Sequence, residues 1–126
     1  MSRVGFFLVV LPFVTCLVVA CGSANSGRQL HSITINAVGD CCETIFTATG
    51  TYSTAPSTVS PLPTSWSLGT PPDTYQLTTQ PFAVICPLPN GNYLVTAMSP
   101  VNPNAPLTGT VSSTKIVVTT THAICE

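Results

Sequence analysis

Proline constrains the fold of this 126-residue chain more than any other feature: there are twelve, and ten of them lie in four breaks between short segments. Proline cannot donate to a sheet ladder, so residues 54–63, 69–73, 87–91 and 100–110 are predicted to be loops or edges. The segments between them alternate apolar and polar residues and contain many Thr, Val, Ile and Tyr, as strands do. No segment has the apolar spacing of a long helix. The sequence therefore predicts an all-β fold.

Seven segments have the pattern of a short strand. Residues 44–53 are the clearest, because Phe46, Ala48, Gly50 and Tyr52 alternate with threonines, as in a half-buried antiparallel strand. Seven short strands separated by regular turn signals indicate a sandwich or a barrel. The predicted strands are residues 30–36, 44–53, 64–68, 74–79, 82–86, 92–98 and 115–123.

The first twenty residues have the features of an export signal. Arg3 is followed by an uncharged apolar run, residues 4–20, and small polar residues come directly after it. A basic start, an apolar middle and a small residue before the cut are typical of a signal peptide. The run is also at the lower limit of a membrane-spanning helix. We expect residues 1–20 to be a cleaved signal, with an uncleaved anchor as the alternative.

The end of this run, Val18-Val19-Ala20-Cys21, resembles the lipobox of bacterial lipoproteins. The resemblance implies that a diacylglycerol is attached to the Cys21 thiol and that the chain is cut just before it. Gly22, where an Asp often signals inner-membrane retention in that family, favours the outer membrane or cell surface. The alternative is an ordinary cleaved signal peptide without lipidation. After cleavage before Cys21, residues 21–29 would be a flexible Gly/Ser-rich tether, and residues 30–126 would be the folded domain.

The order of motifs in that domain resembles the bacterial Ig-like domain of group 2. The matching pieces are residues 30–35, 46–52, the strand carrying Trp66, residues 91–97 and residues 116–121. The family implies a seven-stranded Ig-like β-sandwich that spaces or presents other modules at the cell surface, sometimes as an adhesin, without catalytic activity. Family members are usually cysteine-poor and occur as repeats in long chains, whereas this chain has six cysteines and one copy.

Four residues are expected to form the structural core of such a sandwich. Phe46 lies on the inward face of its strand, and Trp66 would fill the centre because an aromatic side chain buries a large area. Tyr93 stands two residues before Val95. This is the spacing of a tyrosine corner, in which Val95 takes the place of the second inter-sheet cysteine.

The cysteines after Cys21 are predicted to gather at one pole of the sandwich. Cys41 and Cys42 lie in the first turn, while Cys86 and Cys125 end predicted strands. Disulfides are the default in an exported protein. We disfavour a strained Cys41–Cys42 bond. The two remaining pairings, each of which links this pair to Cys86 and Cys125, both stay open. Each bond would raise the free energy of unfolding by about 3–4 kcal/mol.

Metal binding and redox chemistry are the alternatives at the same pole. His122 and Cys125, together with Cys41 and Cys42, could supply four zinc ligands. Adjacent cysteines form a poor tetrahedral pair, however, since zinc ligands are usually two to four residues apart. A redox-active pair would need the C-x-x-C spacing, which is missing. We therefore expect no metal and no cofactor.

Charge and motif content narrow the function. Charged residues make up 6% of the chain and the net charge is −1. Nucleic-acid binding, which requires a basic surface, is therefore excluded. Nucleophile-elbow, phosphate-loop and dinucleotide motifs are missing from the sequence, and we expect no catalytic residues.

The sequence favours a non-catalytic structural or protein-interaction module of the cell envelope. Its partners would be the membrane, through Cys21, and an unknown envelope protein or surface glycan. A carbohydrate or surface-adhesion module is the second hypothesis, which requires exposed aromatic rings such as those of Tyr52 or Tyr75.

Overall fold

A computed structural model describes residues 27–39, 42–85 and 91–125, with residue 125 described by its backbone. The regular secondary structure of the described chain is almost entirely β-strand, 63% strand against 3% helix, in antiparallel sheets, as the sequence predicted. A three-residue 3-10 turn, Val111–Ser113, precedes the last strand. In chain order the strands are β1 (Leu30–Gly39), β2 (Glu43–Tyr52), β3 (Thr58–Val59), β4 (Ser65–Leu68), β5 (Thr74–Gln76), β6 (Phe82–Ile85), β7 (Gly91–Pro100), β8 (Thr108–Thr110) and β9 (Ile116–Cys125).

Two sheets and a small ribbon make up the described fold. In the first sheet β2 pairs with β1 on one side and with both β3 and β6 on the other. The second sheet has the order β4-β7-β9, and β5 pairs with β8 in the ribbon. Strands β1, β2 and β6 face strands β4, β7 and β9. This is the arrangement of strands in an immunoglobulin-type sandwich. The all-β sandwich prediction is thus confirmed.

The number of strands was underestimated. Each of the seven predicted strands is present, but the described residues form nine. The two additional strands, β3 and β8, lie in the proline-rich stretches that were predicted to be loops. Both are only two or three residues long, so they are too short to produce an alternating sequence pattern.

The core lies between the two sheets, and β2 contributes alternate residues to it. Phe46, Ala48, Gly50 and Tyr52 are buried, whereas the intervening residues are exposed or half-buried. One core cluster consists of Leu30, Ile33, Ala48, Tyr52, Leu62 and Ala97. The other consists of Phe46, Val84, Val95 and Ala123.

Trp66 joins the two clusters, because its side chain packs against both. Its ring stacks on Phe82 with 5.7 Å between centroids and 4° between planes. Phe46 lies 6.4 Å away at 44°. Both separations are within the range of favourable aromatic pairs. The fully buried Phe46 and Val95 have their predicted core positions, and the half-buried Tyr93 packs against the second cluster.

Leu68 is 43% exposed, although it stands two residues after Trp66 and so on the same face of β4. It ends β4, and the next residue, Gly69, has φ +95°. L-residues rarely adopt this conformation, so the glycine lets the chain turn away from the sheet. The Gly69 carbonyl then accepts a 2.7 Å hydrogen bond from the Thr96 hydroxyl.

Candidate functional site

The two ends of the sandwich are named here by the path of the chain. At the entry pole, residues 27–30 join the sandwich next to residues 53–57 and the loop of residues 101–107. The Leu30 amide donates to the Val101 carbonyl at 2.8 Å, and the Val101 amide donates to the Lys115 carbonyl. Strand β1 then runs ten residues to the far pole, about 30 Å at the usual rise per residue.

At the entry pole the chain is bound to the β2–β3 loop through Ser53. The Ser53 amide donates to the Gln29 carbonyl, and the Gln29 amide donates to the Ser53 hydroxyl, each at 2.9 Å. That hydroxyl also donates to the Gly27 carbonyl at 2.9 Å. The sequence assigned residues 21–29 to a flexible tether, but residues 27–29 are part of the folded body. Cys21 lies outside the described residues.

Arg28 adds a second attachment at this pole. Its guanidinium lies 4.2 Å from the centroid of the Tyr52 ring, a cation–π contact. It also donates a 2.6 Å hydrogen bond to the Pro56 carbonyl. We call residues 27–29, with their contacts to Tyr52, Ser53 and Pro56, the N-terminal clamp. The clamp determines where the preceding chain leaves the sandwich.

Burial raises the pKa of the Tyr52 hydroxyl above its ordinary value of 10.0, and the nearby Arg28 guanidinium opposes this rise. The folded state therefore favours the protonated phenol. Above about pH 10 the unfolded chain ionises first, so the free energy of unfolding falls as pH rises further. Urea unfolding between pH 8 and pH 11 should show this fall, and Tyr52→Phe should make it shallower. An identical pH dependence in both proteins would contradict the assignment.

The far pole contains the ends of strands from both sheets. Glu43, the first residue of β2, pairs with Ile85, the last residue of β6. Gly91, the first residue of β7, pairs with Cys125, the last residue of β9. Five residues connect Ile85 to Gly91, so the two pairs lie within about 22 Å of each other.

The predicted cysteine cluster falls only partly within the described chain. Cys42 is exposed, directly before β2, and the backbone of Cys125 ends β9. Cys41 and Cys86 lie outside the described residues. The strand ends are thus compatible with cysteines meeting at the far pole, and the disulfide pairing stays a prediction.

An exposed apolar patch occupies the outer face of the first sheet beside the far pole. Val38, Ile45 and Ala83 form one row across β1, β2 and β6. Ile85 lies in a neighbouring row, opposite Glu43. Val38 is 64% exposed, Ile45 39% and Ile85 57%, and Ala83 is exposed as well. We call these four residues the far-pole patch.

This patch was not predicted from the sequence, although the sequence contains a signal for it. Val38 and Ile45 stand at the outward positions of strands whose inward positions are also apolar. An open depression of about 360 Å³ lies beside them, lined by Val38, Gly39, Glu43 and Ile45. Contiguous exposed apolar residues are typical of interaction sites.

The structure contradicts the adhesion hypothesis in the form that relied on Tyr52 and Tyr75. Tyr52 is 7% exposed and Tyr75 is 4% exposed. Tyr52 belongs to the core and stacks with Arg28, while Tyr75 lies beneath β8. Neither ring is therefore available to stack on a sugar.

His122, the histidine of the metal hypothesis, is exposed on the outer face of the second sheet. Its strand neighbours Thr121 and Ala123 are the half-buried and buried ones. A site that used His122 would consequently lie outside the sandwich. In residues 27–39, 42–85 and 91–125, no group of three His, Cys, Asp or Glu is placed to hold a metal ion.

A second open depression, of about 550 Å³, lies along the β5–β8 ribbon next to Tyr75. The Tyr75 hydroxyl is buried without a hydrogen-bond partner in the described chain. A Cβ added at Gly109 would lie 2.7 Å from this oxygen, which explains why a glycine stands there.

We expect Gly109→Ala to lower the free energy of unfolding by about 1–3 kcal/mol, the usual cost of overpacking. Gly27→Ala is the matched control, because nothing lies within 4 Å of its added Cβ. Urea denaturation of both variants measures the difference. Equal free energies of unfolding for the two variants would show that the β5–β8 ribbon can shift around Tyr75 without a loss of stability.

Comparison with known protein families, curated proteins and solved structures finds no match to this chain. Among the described residues, no helix has the length and hydropathy needed to cross a bilayer.

Proposed function

We propose that this chain is an exported lipoprotein of the bacterial envelope, anchored through Cys21, whose Ig-like sandwich is a non-catalytic protein-interaction module. The membrane would hold the entry pole, and the far-pole patch would contact an apolar surface of another envelope protein. The far-pole patch is the observation that supports this role. Its residues are exposed although the same strands bury other apolar residues in the core.

The position of the patch fits an anchored interaction module. Val38 stands eight residues beyond Leu30 along β1, about 26 Å from the entry pole. A partner could therefore approach the patch without contact with the membrane. The outer face of β1 and β2 nearer the entry pole is formed by polar residues, such as Thr34 opposite Thr49. The apolar surface is thus confined to the far end of this face.

Export and anchoring are tested on the full chain in a bacterial host. We expect the membrane fraction to contain a protein that begins at Cys21 and carries the added mass of the acyl chains. Cys21→Ser should move the protein out of the membrane fraction. A retained Met1, or an unmodified Cys21 in the membrane-bound form, would overturn the lipoprotein assignment.

The interaction role is tested with a photo-crosslinking amino acid placed at Ile85 in living cells. Ile124 is the matched control, since it is 58% exposed against 57% for Ile85 but lies on the second sheet. We expect a discrete protein adduct from Ile85 and none from Ile124, and Val38→Thr should weaken the adduct. Equal adducts from both positions would contradict an interface at the patch.

A further inference from the structure

The N-terminal clamp limits how far the sandwich can stand from a lipid attached to Cys21. Residues 27–29 are bound to Tyr52 at the end of β2 and to Ser53 and Pro56 in the β2–β3 loop. Only six Cα–Cα steps therefore separate Cys21 from the folded body at Gly27. Fully extended, they span about 22 Å, and as a flexible coil about 13 Å. The entry pole must consequently lie close to the membrane surface.

The entry pole also carries the basic residues of the folded chain. Of the three Lys and Arg residues in the sequence, Arg3 precedes Cys21, and the other two are Arg28 and Lys115. Arg28 belongs to the clamp, and the exposed Lys115 is bonded through its carbonyl to Val101.

The two described acidic residues lie in different places. Glu43 is exposed at the far pole, opposite Ile85, whereas the Asp73 carbonyl accepts a hydrogen bond from the Val111 amide, four residues before Lys115. Both basic residues of the folded chain thus lie at the pole where the chain enters, and an acidic residue lies at the far pole. Basic residues close to an anionic lipid surface are attracted to it, within a Debye length of the surface.

The loop of residues 101–107 completes the surface of the entry pole. It begins at Val101, next to Leu30, and its last residue, Leu107, is 66% exposed. An exposed leucine on this loop can place its apolar side chain at the boundary between headgroups and acyl chains.

We propose that the entry pole is a membrane-contact surface, on which the exposed Lys115 faces anionic lipid headgroups and the loop of residues 101–107 lies against them. This inference rests on the proposed lipidation of Cys21. The acyl chains supply most of the affinity for the bilayer. The clamp and the charge of Lys115 determine which end of the sandwich faces the lipid, and so keep the far-pole patch directed away from it.

The test uses the full lipidated chain, purified from membranes and reconstituted into vesicles of phosphatidylcholine with about one quarter phosphatidylglycerol. A photo-crosslinking amino acid replaces Leu107 in one variant and Val38 in the other. Val38 is the matched control for Leu107, because the two residues are 64% and 66% exposed but stand at opposite poles. We expect lipid adducts at Leu107 to exceed those at Val38 by about tenfold. A second entry-pole position, Asn104, is exposed and serves if the Leu107 variant does not fold.

Lys115→Gln tests the contribution of charge. We expect it to lower the Leu107 adduct by about fivefold on anionic vesicles, the effect of one basic residue near such a surface. It should have no effect on pure phosphatidylcholine. Raising the salt concentration should reduce the adduct on anionic vesicles in the same way.

The outcomes separate this inference from the proposed function. Equal lipid adducts at Leu107 and Val38, on a chain whose mass shows acylated Cys21, overturn the membrane-contact surface and leave the lipoprotein intact. Equal effects of Lys115→Gln on anionic and neutral vesicles overturn the role of charge. A chain without acyl groups overturns the proposed function itself.

Discussion

Phe46→Ala is expected to lower the free energy of unfolding by about 3–5 kcal/mol, the usual cost of removing a buried aromatic side chain. Phe46 is fully buried at the middle of β2, and its cluster includes Val84, Val95 and Ala123 from three other strands. Its ring also lies 6.4 Å from that of Trp66. The truncation would therefore leave a cavity between the sheets. A domain of this size has only about 5–15 kcal/mol of stability in total.

Ile45→Ala is the control, since Ile45 is the neighbour of Phe46 on the same strand but is 39% exposed on the outer face. We expect Ile45→Ala to lower the free energy of unfolding by less than about 1 kcal/mol, because surface substitutions change stability little. Urea unfolding followed by circular dichroism and by the fluorescence of Trp66, the single tryptophan, measures both variants. Similar losses from the two substitutions would show that β2 does not separate a core face from an outer face.

The alternation of β2 could be read from the sequence because each of its faces has one environment. Phe46, Ala48, Gly50 and Tyr52 are buried, and the threonines between them are exposed or half-buried. The same pattern already placed Tyr52 on the inward face, which is why its proposed use as an exposed sugar-binding ring was wrong. Strand periodicity was the more reliable signal there, since it follows from backbone geometry.

Strand β6 shows where periodicity carries no information. All four of its residues are apolar, yet Val84 is buried while Ala83 and Ile85 are exposed. A uniformly apolar run is compatible with either face. The burial of Val84 depends on the register with β2, in which it pairs with Thr44, and this pairing is not encoded in β6 alone. The far-pole patch was therefore not predictable from this segment.

The N-terminal clamp was missed for a different reason. Residues 27–29 have the small polar composition of a tether. Composition alone contains no information about contacts with residues that are distant in the sequence. Arg28 is held by Tyr52 and Pro56, which are more than twenty residues away in the chain. Only the folding of β2 brings these groups to the point where the chain enters the sandwich. Long-range contacts of this kind leave no local pattern in the sequence.

Reduction of the disulfides predicted at the far pole is expected to lower the free energy of unfolding by about 3–4 kcal/mol for each bond. The register of β2 and β6 favours one of the two open pairings. Glu43 pairs with Ile85 and Thr44 with Val84, so a ladder extended by one residue would place Cys42 opposite Cys86. Residues opposite each other in an antiparallel pair have Cβ atoms about 4.5–5.5 Å apart, near the disulfide range of about 3.5–4.5 Å. We therefore expect Cys42–Cys86 and, by elimination, Cys41–Cys125.

Non-reducing peptide mapping of the exported protein identifies the linked peptides, and a double-mutant cycle measures their effect on stability. If Cys42 and Cys86 are linked, Cys42→Ser and Cys86→Ser each break the same bond. Each single variant should then lose about 3–4 kcal/mol of unfolding free energy. The double variant should lose little more, which is the strong non-additivity expected of coupled residues.

Additive losses would contradict the Cys42–Cys86 pairing, because they would mean that the two cysteines belong to different bonds. Cys41→Ser then distinguishes the alternatives, since in the other pairing it is Cys41 that is coupled to Cys86. The pairing of β2 with β6 would in that case end at Glu43 and Ile85, the last pair of this ladder in the described chain. The comparison thus tests whether this ladder continues one residue further toward the far pole.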